Sequence, residues 1–125
     1  MLRILILLPL LSVTMGVEKC SKKKVTGEVY KARLEVKAMC MNYTIKLLEG
    51  KIDSTKIVAN WTDATTMTSY TNVFALKNPC NFPDSIKQGD EFYFVIDAPA
   101  TEPCMVCMIY YPIPGRKLPI KVVNR

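Results

Sequence analysis

The stretch that decides the fold is Glu28-Val-Tyr-Lys-Ala-Arg-Leu-Glu-Val-Lys-Ala38, written EVYKARLEVKA. From Tyr30 onward, apolar and charged residues alternate one by one. The apolar positions are Tyr30, Ala32, Leu34, Val36 and Ala38, and the charged positions are Lys31, Arg33, Glu35 and Lys37. Because successive side chains of a β-strand point to opposite faces, this period of two predicts a strand with one buried face and one exposed face.

Similar segments follow along the chain. In residues 42–48, NYTIKLL, the apolar Tyr43, Ile45 and Leu47 alternate with Thr44 and Lys46, and a turn is expected at 49–51. Runs rich in β-branched and aromatic residues predict further strands, which are 56–61, 69–76, 91–97 and 105–111. A turn at 88–90 precedes the run that starts at residue 91. Short strands separated by turns predict an all-β domain, a small sandwich or barrel, with at most a minor helix.

Two segments are harder to assign. A helix at 83–88 or near the C-terminus is conceivable, but neither segment has a helical period. Residues 113–125 form a basic, proline-containing tail, which we expect either to wrap the domain or to stay mobile.

The N-terminal residues 1–16 have the layout of a secretory signal peptide. Arg3 precedes an apolar run, and small residues follow at Ser12, Thr14 and Gly16. The apolar run is about half the length that spans a bilayer, which disfavours a membrane anchor. Cleavage after Gly16 predicts a secreted, soluble single domain of residues 17–125, starting at Val17, with no insertion into the membrane.

The composition favours a binding protein over an enzyme. The chain has no histidine, no Gly-x-Ser-x-Gly elbow, no phosphate-cradling glycine loop and no H-E-x-x-H pair, so we expect no catalysis, no cofactor and no metal site. The charge is +6, from 17 Lys and Arg against 11 Asp and Glu, and losing Arg3 leaves 16 − 11 = +5. A basic excess suits acidic partners such as sulfated glycans, and it equally suits simple solubility. We expect no nucleic acid partner.

Five cysteines, at 20, 40, 80, 104 and 107, predict a disulfide framework in a secreted chain. The odd number leaves one thiol, which is either free or joined to a second chain, so the oligomeric state stays open. Cys104-Met-Val-Cys107 matches a C-x-x-C spacing. No βαβ pattern surrounds it and no histidine accompanies it, which disfavours both a redox site and a zinc site.

Two sequons, Asn42-Tyr-Thr and Asn60-Trp-Thr, are candidate glycosylation sites and should be exposed in a secreted protein. Trp61 is either an exposed anchor for a partner or a core residue, and core packing is the favoured interpretation. Basic residues near both termini form a candidate site for anionic glycans, with solvated surface as the alternative. These residues are Lys22, Lys23, Lys24, Arg116 and Lys117, with Lys19, Lys121 and Arg125 nearby.

These segments resemble the netrin-like module shared with tissue inhibitors of metalloproteinases. The resemblance covers roughly residues 20–112, and single-domain secreted members of this type include hookworm anti-inflammatory proteins of parasitic nematodes. The resemblance rests on the N-terminal cysteine region, on the alternating strand, and on the segments 43–51, 89–95 and 107–112. Cys80 precedes the segment 89–95.

The resemblance implies a disulfide-stapled, OB-like barrel of five to six strands for residues 17–125. It implies a Cys20–Cys80 bridge and a bridge from Cys40 to Cys107 or Cys104, of which Cys107 is preferred, leaving Cys104 unpaired. It also implies a secreted, non-catalytic binding protein, an immunomodulatory effector that acts on extracellular host partners such as a receptor or a protease.

Inhibitory members of the family begin with Cys-x-Cys, and the amine and carbonyl of the first cysteine chelate the zinc of the protease. Here the corresponding edge is Cys20-Ser21-Lys22, which lacks the second cysteine. Residues 17–19 would also convert the Cys20 amine into an amide, whose delocalised lone pair makes it a poor ligand. Metalloproteinase inhibition through this edge is therefore the alternative function, and glycosaminoglycan binding is the second alternative.

Overall fold

The computed structural model describes residues 27–97, 106, 107 and 109–125. The regular secondary structure of this part of the chain is mostly antiparallel β-sheet, which confirms the predicted class. The strands are β1 (Tyr30–Ala38), β2 (Asn42–Glu49), β3 (Val58–Asp63), β4 (Thr68–Leu76), β5 (Glu91–Ile96), β6 (Lys117–Leu118) and β7 (Ile120–Val123). The helical elements described are two 3₁₀-helices, Met39–Met41 and Pro79–Asn81. Among the described helices, none has the length and apolar character that crossing a bilayer requires.

All the strands belong to one sheet, in the order β3-β4-β2-β1-β5-β7. Pairing along this path is antiparallel, whereas β6 lies outside it and pairs with β4 in parallel. Among the described residues the sheet holds seven strands, more than the five or six expected, and their hydrogen bonding does not close it into the expected barrel. Pro119 separates β6 from β7, and because proline has no backbone N–H it interrupts the ladder at that point.

The central strand β1 has the alternation that its sequence predicts. Tyr30, Ala32, Leu34 and Val36 are buried, while Ala38 at the end of the strand is only half-buried. Strand β2 departs from its predicted alternation, because Thr44, expected on the exposed face, is completely buried. The register between β1 and β2 shifts between Leu34 and Val36, and a bulge of this kind re-aims the side chains beside it.

The core is built around aromatic rings contributed by β1, β4 and β5. The ring of Phe94 lies 5.3 Å from Tyr30, 5.8 Å from Phe74 and 6.2 Å from Phe92, measured between centroids. Leu34 and Ile45 are fully buried in the same cluster. Burying a side chain of this size contributes about 1.5–3 kcal/mol, so this cluster is the main source of stability.

Three local predictions need correction. The strand expected at 56–61 occurs at Val58–Asp63, and the segment 83–88 consists of turns rather than a helix. The strand expected at 105–111 is wrong, because residues 106, 107 and 109–111 have no strand structure. The tail 113–125 supplies the last strands instead. Strand β6 pairs with the end of β4 that β3 leaves unpaired, and β7 pairs with the outer edge of β5. The tail therefore wraps the domain.

Candidate functional site

Exposed apolar side chains are concentrated around one disulfide. Cys40 is bonded to Cys107, 67 positions further along the chain, with their Cα atoms 5.0 Å apart. Five of the six large apolar side chains that are exposed in the described residues lie next to these two cysteines in sequence; the sixth is Met67 in the turn between β3 and β4. We call the five the disulfide patch: Met39, Met41, Val106, Ile109 and Tyr110.

The backbone on the β1–β2 side of the patch is strained. Cys40 and Met41 have φ angles of 58° and 57°, in the left-handed region that residues with a Cβ rarely adopt. Such positions cost on the order of 1–3 kcal/mol each and persist only where the surroundings enforce them. Here the Cys107 bridge holds Cys40 in place, and β2 begins directly after Met41. The result is a rigid corner that presents Met39, 61% exposed, to solvent.

Two depressions flank this corner. One is a cavity of about 140 Å³ whose lining includes Met41, Val106, Leu76 and Lys117. The other is wider and more open, about 490 Å³, and its lining includes Met39 and Val106. Residues from β1, β2, β4 and the C-terminal segment therefore line depressions on both sides of the corner, with room for a partner's side chains.

Positive charge borders the patch. Lys77 and Lys117 line the smaller cavity, and Lys37 lines the wider depression. The salt bridges found among the described residues belong to Lys31 and Arg33, so these three lysines have no carboxylate neutralising them there. The Lys37 ammonium donates to the backbone oxygens of Ile86 and Asp84 at 2.9 and 3.3 Å. The border of the patch favours an acidic partner surface.

The segment that follows the disulfide is held by two polar contacts. The Asn42 side-chain amide donates to the Ile109 carbonyl at 3.4 Å, and the Tyr111 hydroxyl donates to Asp63 Oδ2 at 2.8 Å. The hydrogen bond to Asp63, followed by burial, raises the pKa of Tyr111. The first contact ties Ile109 to the start of β2, next to Met41, and the second ties Tyr111 to the end of β3.

The predicted disulfides fall partly outside the described residues. The structure joins Cys40 to Cys107, the pairing that the resemblance implied. Cys80 is also disulfide-bonded, but its implied partner Cys20 lies outside the described residues, as does Cys104. The edge Cys20-Ser21-Lys22 and the lysines at 23 and 24 lie outside them too, so the described residues do not bear on the alternative function of zinc-directed inhibition.

The two sequon asparagines differ in their surroundings. Asn60 is exposed on β3, as expected, whereas Asn42 is only half-buried, at the start of β2 beside the patch. The threonines that complete the two sequons differ more in burial: Thr62 is exposed, whereas Thr44 is completely buried.

The prediction that Trp61 packs in the core is wrong. Trp61 is half-buried, lies outside the core cluster and stacks on Tyr70 of β4 with 5.8 Å between centroids. Among the described strands, β3 is at the end of the sheet and pairs with β4 alone, and each of its residues except Asp63 is exposed or half-buried.

The basic residues of the C-terminal segment lie on ordered backbone. Arg116 and Lys117 are exposed at the start of β6, and Lys121 is exposed on β7. The Arg125 guanidinium lies 5.6 Å from the centre of the Tyr93 ring. These cations therefore lie on the last two strands and at the C-terminus, and their predicted companions 22–24 lie outside the described residues.

Sequence reasoning did not identify the disulfide patch. The available signal was Met39-Cys-Met41, a cysteine between two large apolar residues, but a methionine next to a cysteine is more often part of a core. Whether these side chains are exposed depends on the left-handed turn at Cys40 and Met41, which their residue types do not favour.

Within the described residues, no group of three or more His, Cys, Asp or Glu side chains could hold a metal ion. Comparison of the chain with models of protein families, with characterised proteins and with solved structures finds no match.

Proposed function

We propose that this protein is a secreted, non-catalytic binding protein that docks on an extracellular protein through the disulfide patch. The observation that carries the proposal is the exposure of five large apolar side chains around the Cys40–Cys107 bridge. Contiguous apolar surface of this kind typically marks an interaction site in soluble proteins. Methionine suits such a site, because its unbranched, polarizable side chain adapts to the shape of a partner.

The chemistry of the border narrows the class of partner. Lys37, Lys77 and Lys117 line the two depressions, so we propose an acidic protein surface with an apolar centre. The resemblance to the netrin-like module is the reason for proposing host proteins as partners and an immunomodulatory role. Secretion is proposed from the signal-peptide layout of residues 1–16.

An OB-like arrangement of the sheet is part of the proposal. Its support is the path of the C-terminal segment, which pairs with β4 through β6 and with β5 through β7. These two strands flank the central pair β2 and β1. Two backbone bonds hold the segment between them, from Lys77 N to Leu118 O at 2.9 Å and from Asp97 N to Pro119 O at 3.0 Å.

The test compares two exposed methionines. The secreted protein, labelled with a photo-crosslinker, is incubated with extracellular proteins, and crosslinked partners are identified by mass spectrometry. Met39→Lys should abolish capture of the specific partner, because the charge disrupts the apolar centre of the patch. Met67→Lys is the matched control, since Met67 is 77% exposed and lies in the turn between β3 and β4. A partner captured equally by wild type and both variants would contradict docking at the patch.

Binding of anionic glycans is a second candidate, favoured by a separate observation. Arg116 and Lys117 are exposed, and the salt bridges of the described residues leave both of them without a carboxylate partner. Unpaired cations on an ordered strand can approach sulfate groups with little reorganisation.

A further inference from the structure

We propose that Asn42 carries an N-linked glycan, and that the hydroxyl of Thr44 persists in the protein interior because the nascent chain needs it for this modification. The inference depends on the secretion that is part of the proposed function. It concerns the hydroxyl of Thr44, which forms no hydrogen bond in the folded protein.

The hydroxyl of Thr44 has no partner in the fold. Thr44 is completely buried in β2, where it pairs with Val36 of β1 and Ala75 of β4. Its Oγ1 is the one buried side-chain polar atom of the described residues that lacks a hydrogen bond. A buried hydroxyl without a partner loses its hydration and gains nothing in return. Valine has the same branched shape and no such penalty, so folding alone favours valine at this position.

The other sequon provides the comparison within the same chain. Thr62 occupies the equivalent position after Asn60, but it is exposed and its Oγ1 lies 2.9 Å from Ser69 Oγ on the neighbouring strand. The fold therefore gives the Thr62 hydroxyl a cross-strand hydrogen bond and gives the Thr44 hydroxyl none. What the two threonines share is their place in Asn-x-Thr, where the hydroxyl is part of the acceptor sequence.

The acceptor sequence acts before the fold exists, because the sugar is transferred to the chain as it enters the secretory pathway. The oligosaccharide comes from a lipid-linked pyrophosphate donor. A bond forms between Asn42 Nδ2 and C1 of the first sugar, the bond from C1 to the pyrophosphate oxygen breaks, and Nδ2 gives up one proton. The lipid pyrophosphate leaves. Burial of Thr44 afterwards does not matter to the reaction.

The folded surroundings of Asn42 can accept the sugar. Its Nδ2 donates to the Met39 carbonyl at 3.1 Å and to the Ile109 carbonyl at 3.4 Å, both at the protein surface. A glycosylated amide keeps one N–H, which is enough for the shorter of these bonds. The sugar would then lie next to Met39 and Ile109, so a partner that docks on the disulfide patch must leave room for it on this side.

The test expresses the full chain behind a well-characterised heterologous signal peptide in a eukaryotic secretory cell line, so that the native leader is not at issue. Glycans are detected as mobility shifts removed by a peptide N-glycosidase and are located by mass spectrometry. Thr44→Val should lose the glycan at Asn42 entirely, and Thr44→Ser should keep it. Thr62→Val is the matched control and should lose only a glycan at Asn60. An unmodified Asn42 in the secreted wild type would overturn the inference.

A second measurement isolates the effect of the hydroxyl on folding. Asn42→Gln and the double variant Asn42→Gln/Thr44→Val both lack the glycan and differ only in the buried hydroxyl. The double variant should unfold at a higher urea concentration. An equal or lower midpoint would mean that the hydroxyl supports the fold, which would overturn the second half of the inference. A glycan at Asn42 on a protein that docks nothing through the patch would contradict the proposed docking and leave the glycan assignment intact.

Discussion

The hydroxyl of Tyr111 donates a 2.8 Å hydrogen bond to Oδ2 of Asp63, a carboxylate that is completely buried at the end of β3. The other carboxylate oxygen of Asp63 accepts from the Thr65 backbone N–H at 2.8 Å. One acidic side chain therefore organises the turn between β3 and β4 and also anchors the segment that carries half of the disulfide patch.

Tyr111→Phe should destabilise the protein at neutral pH, because one oxygen of a buried carboxylate loses its donor. The substitution should also change how the free energy of unfolding depends on pH in the alkaline range. The hydrogen bond to Asp63 raises the pKa of Tyr111 above its usual 10.0. A raised folded-state pKa contributes stability that is complete below the unfolded pKa and is lost as the pH rises through the folded value.

The free energy of unfolding, measured with urea from about pH 8 to pH 11, should therefore fall less steeply with pH for Tyr111→Phe than for wild type. Some alkaline loss should remain, because burial also raises the pKa of Tyr30, Tyr43 and Tyr70. Tyr110→Phe, at a side chain that is 87% exposed, is the control and should behave like wild type. Identical alkaline slopes for Tyr111→Phe and wild type would contradict the assignment.

Replacing Cys40 and Cys107 together by serine should lower the free energy of unfolding by about 2–5 kcal/mol, because the bridge restricts a long loop in the unfolded chain. Removing both cysteines avoids leaving a free thiol from this pair. Chemical unfolding under non-reducing conditions measures the change. The strained turn at Cys40 should also relax, so binding through the disulfide patch should weaken. A variant as stable as wild type would show that the bridge is dispensable.

Gly50→Ala should destabilise the protein more than Gly89→Ala, by about 1–3 kcal/mol from overpacking. Both glycines have positive φ, 104° and 93°, so both substitutions introduce backbone strain. Only at Gly50 would the new Cβ also meet an obstacle, the Tyr30 Cδ1 atom at 2.5 Å. Tyr30 is stacked on Phe94 and cannot easily move aside. Equal losses in thermal or chemical unfolding would mean that the Tyr30 ring yields at no cost.

The double variant Arg116→Gln/Lys117→Gln should elute earlier than wild type from immobilised heparin. The substitutions remove two exposed cations that have no salt-bridge partner among the described residues. Retention should also fall with added salt, since screening acts over about 10 Å at 0.1 M. The control is Lys31→Gln/Arg33→Gln, which changes the charge equally but removes cations paired with Glu49, Glu35 and Glu91. Equal shifts for the two double variants would indicate an effect of net charge without a site.

Strand β1 and the turns at Gly50 and Gly89 could be predicted from the sequence, because they depend on local properties. A period of two needs only that one face of a strand be covered, and EVYKARLEVKA has that period. Glycine at a turn reflects the positive φ found at Gly50 and Gly89. The all-β class follows from several such segments in succession, without knowledge of how the strands pair.

The tertiary structure alone decided the features on which the proposed function depends. Thr44 was expected on an exposed face and is buried, because coverage of the second face of a strand comes from segments distant in sequence. The final strands come from the tail rather than from 105–111, because β4 and β5 offered free edges that the tail could reach. The disulfide patch exists because the Cys40–Cys107 bridge holds a turn that the residues themselves disfavour. Local residue preferences set the strands, whereas long-range contacts determined which apolar side chains the fold left exposed.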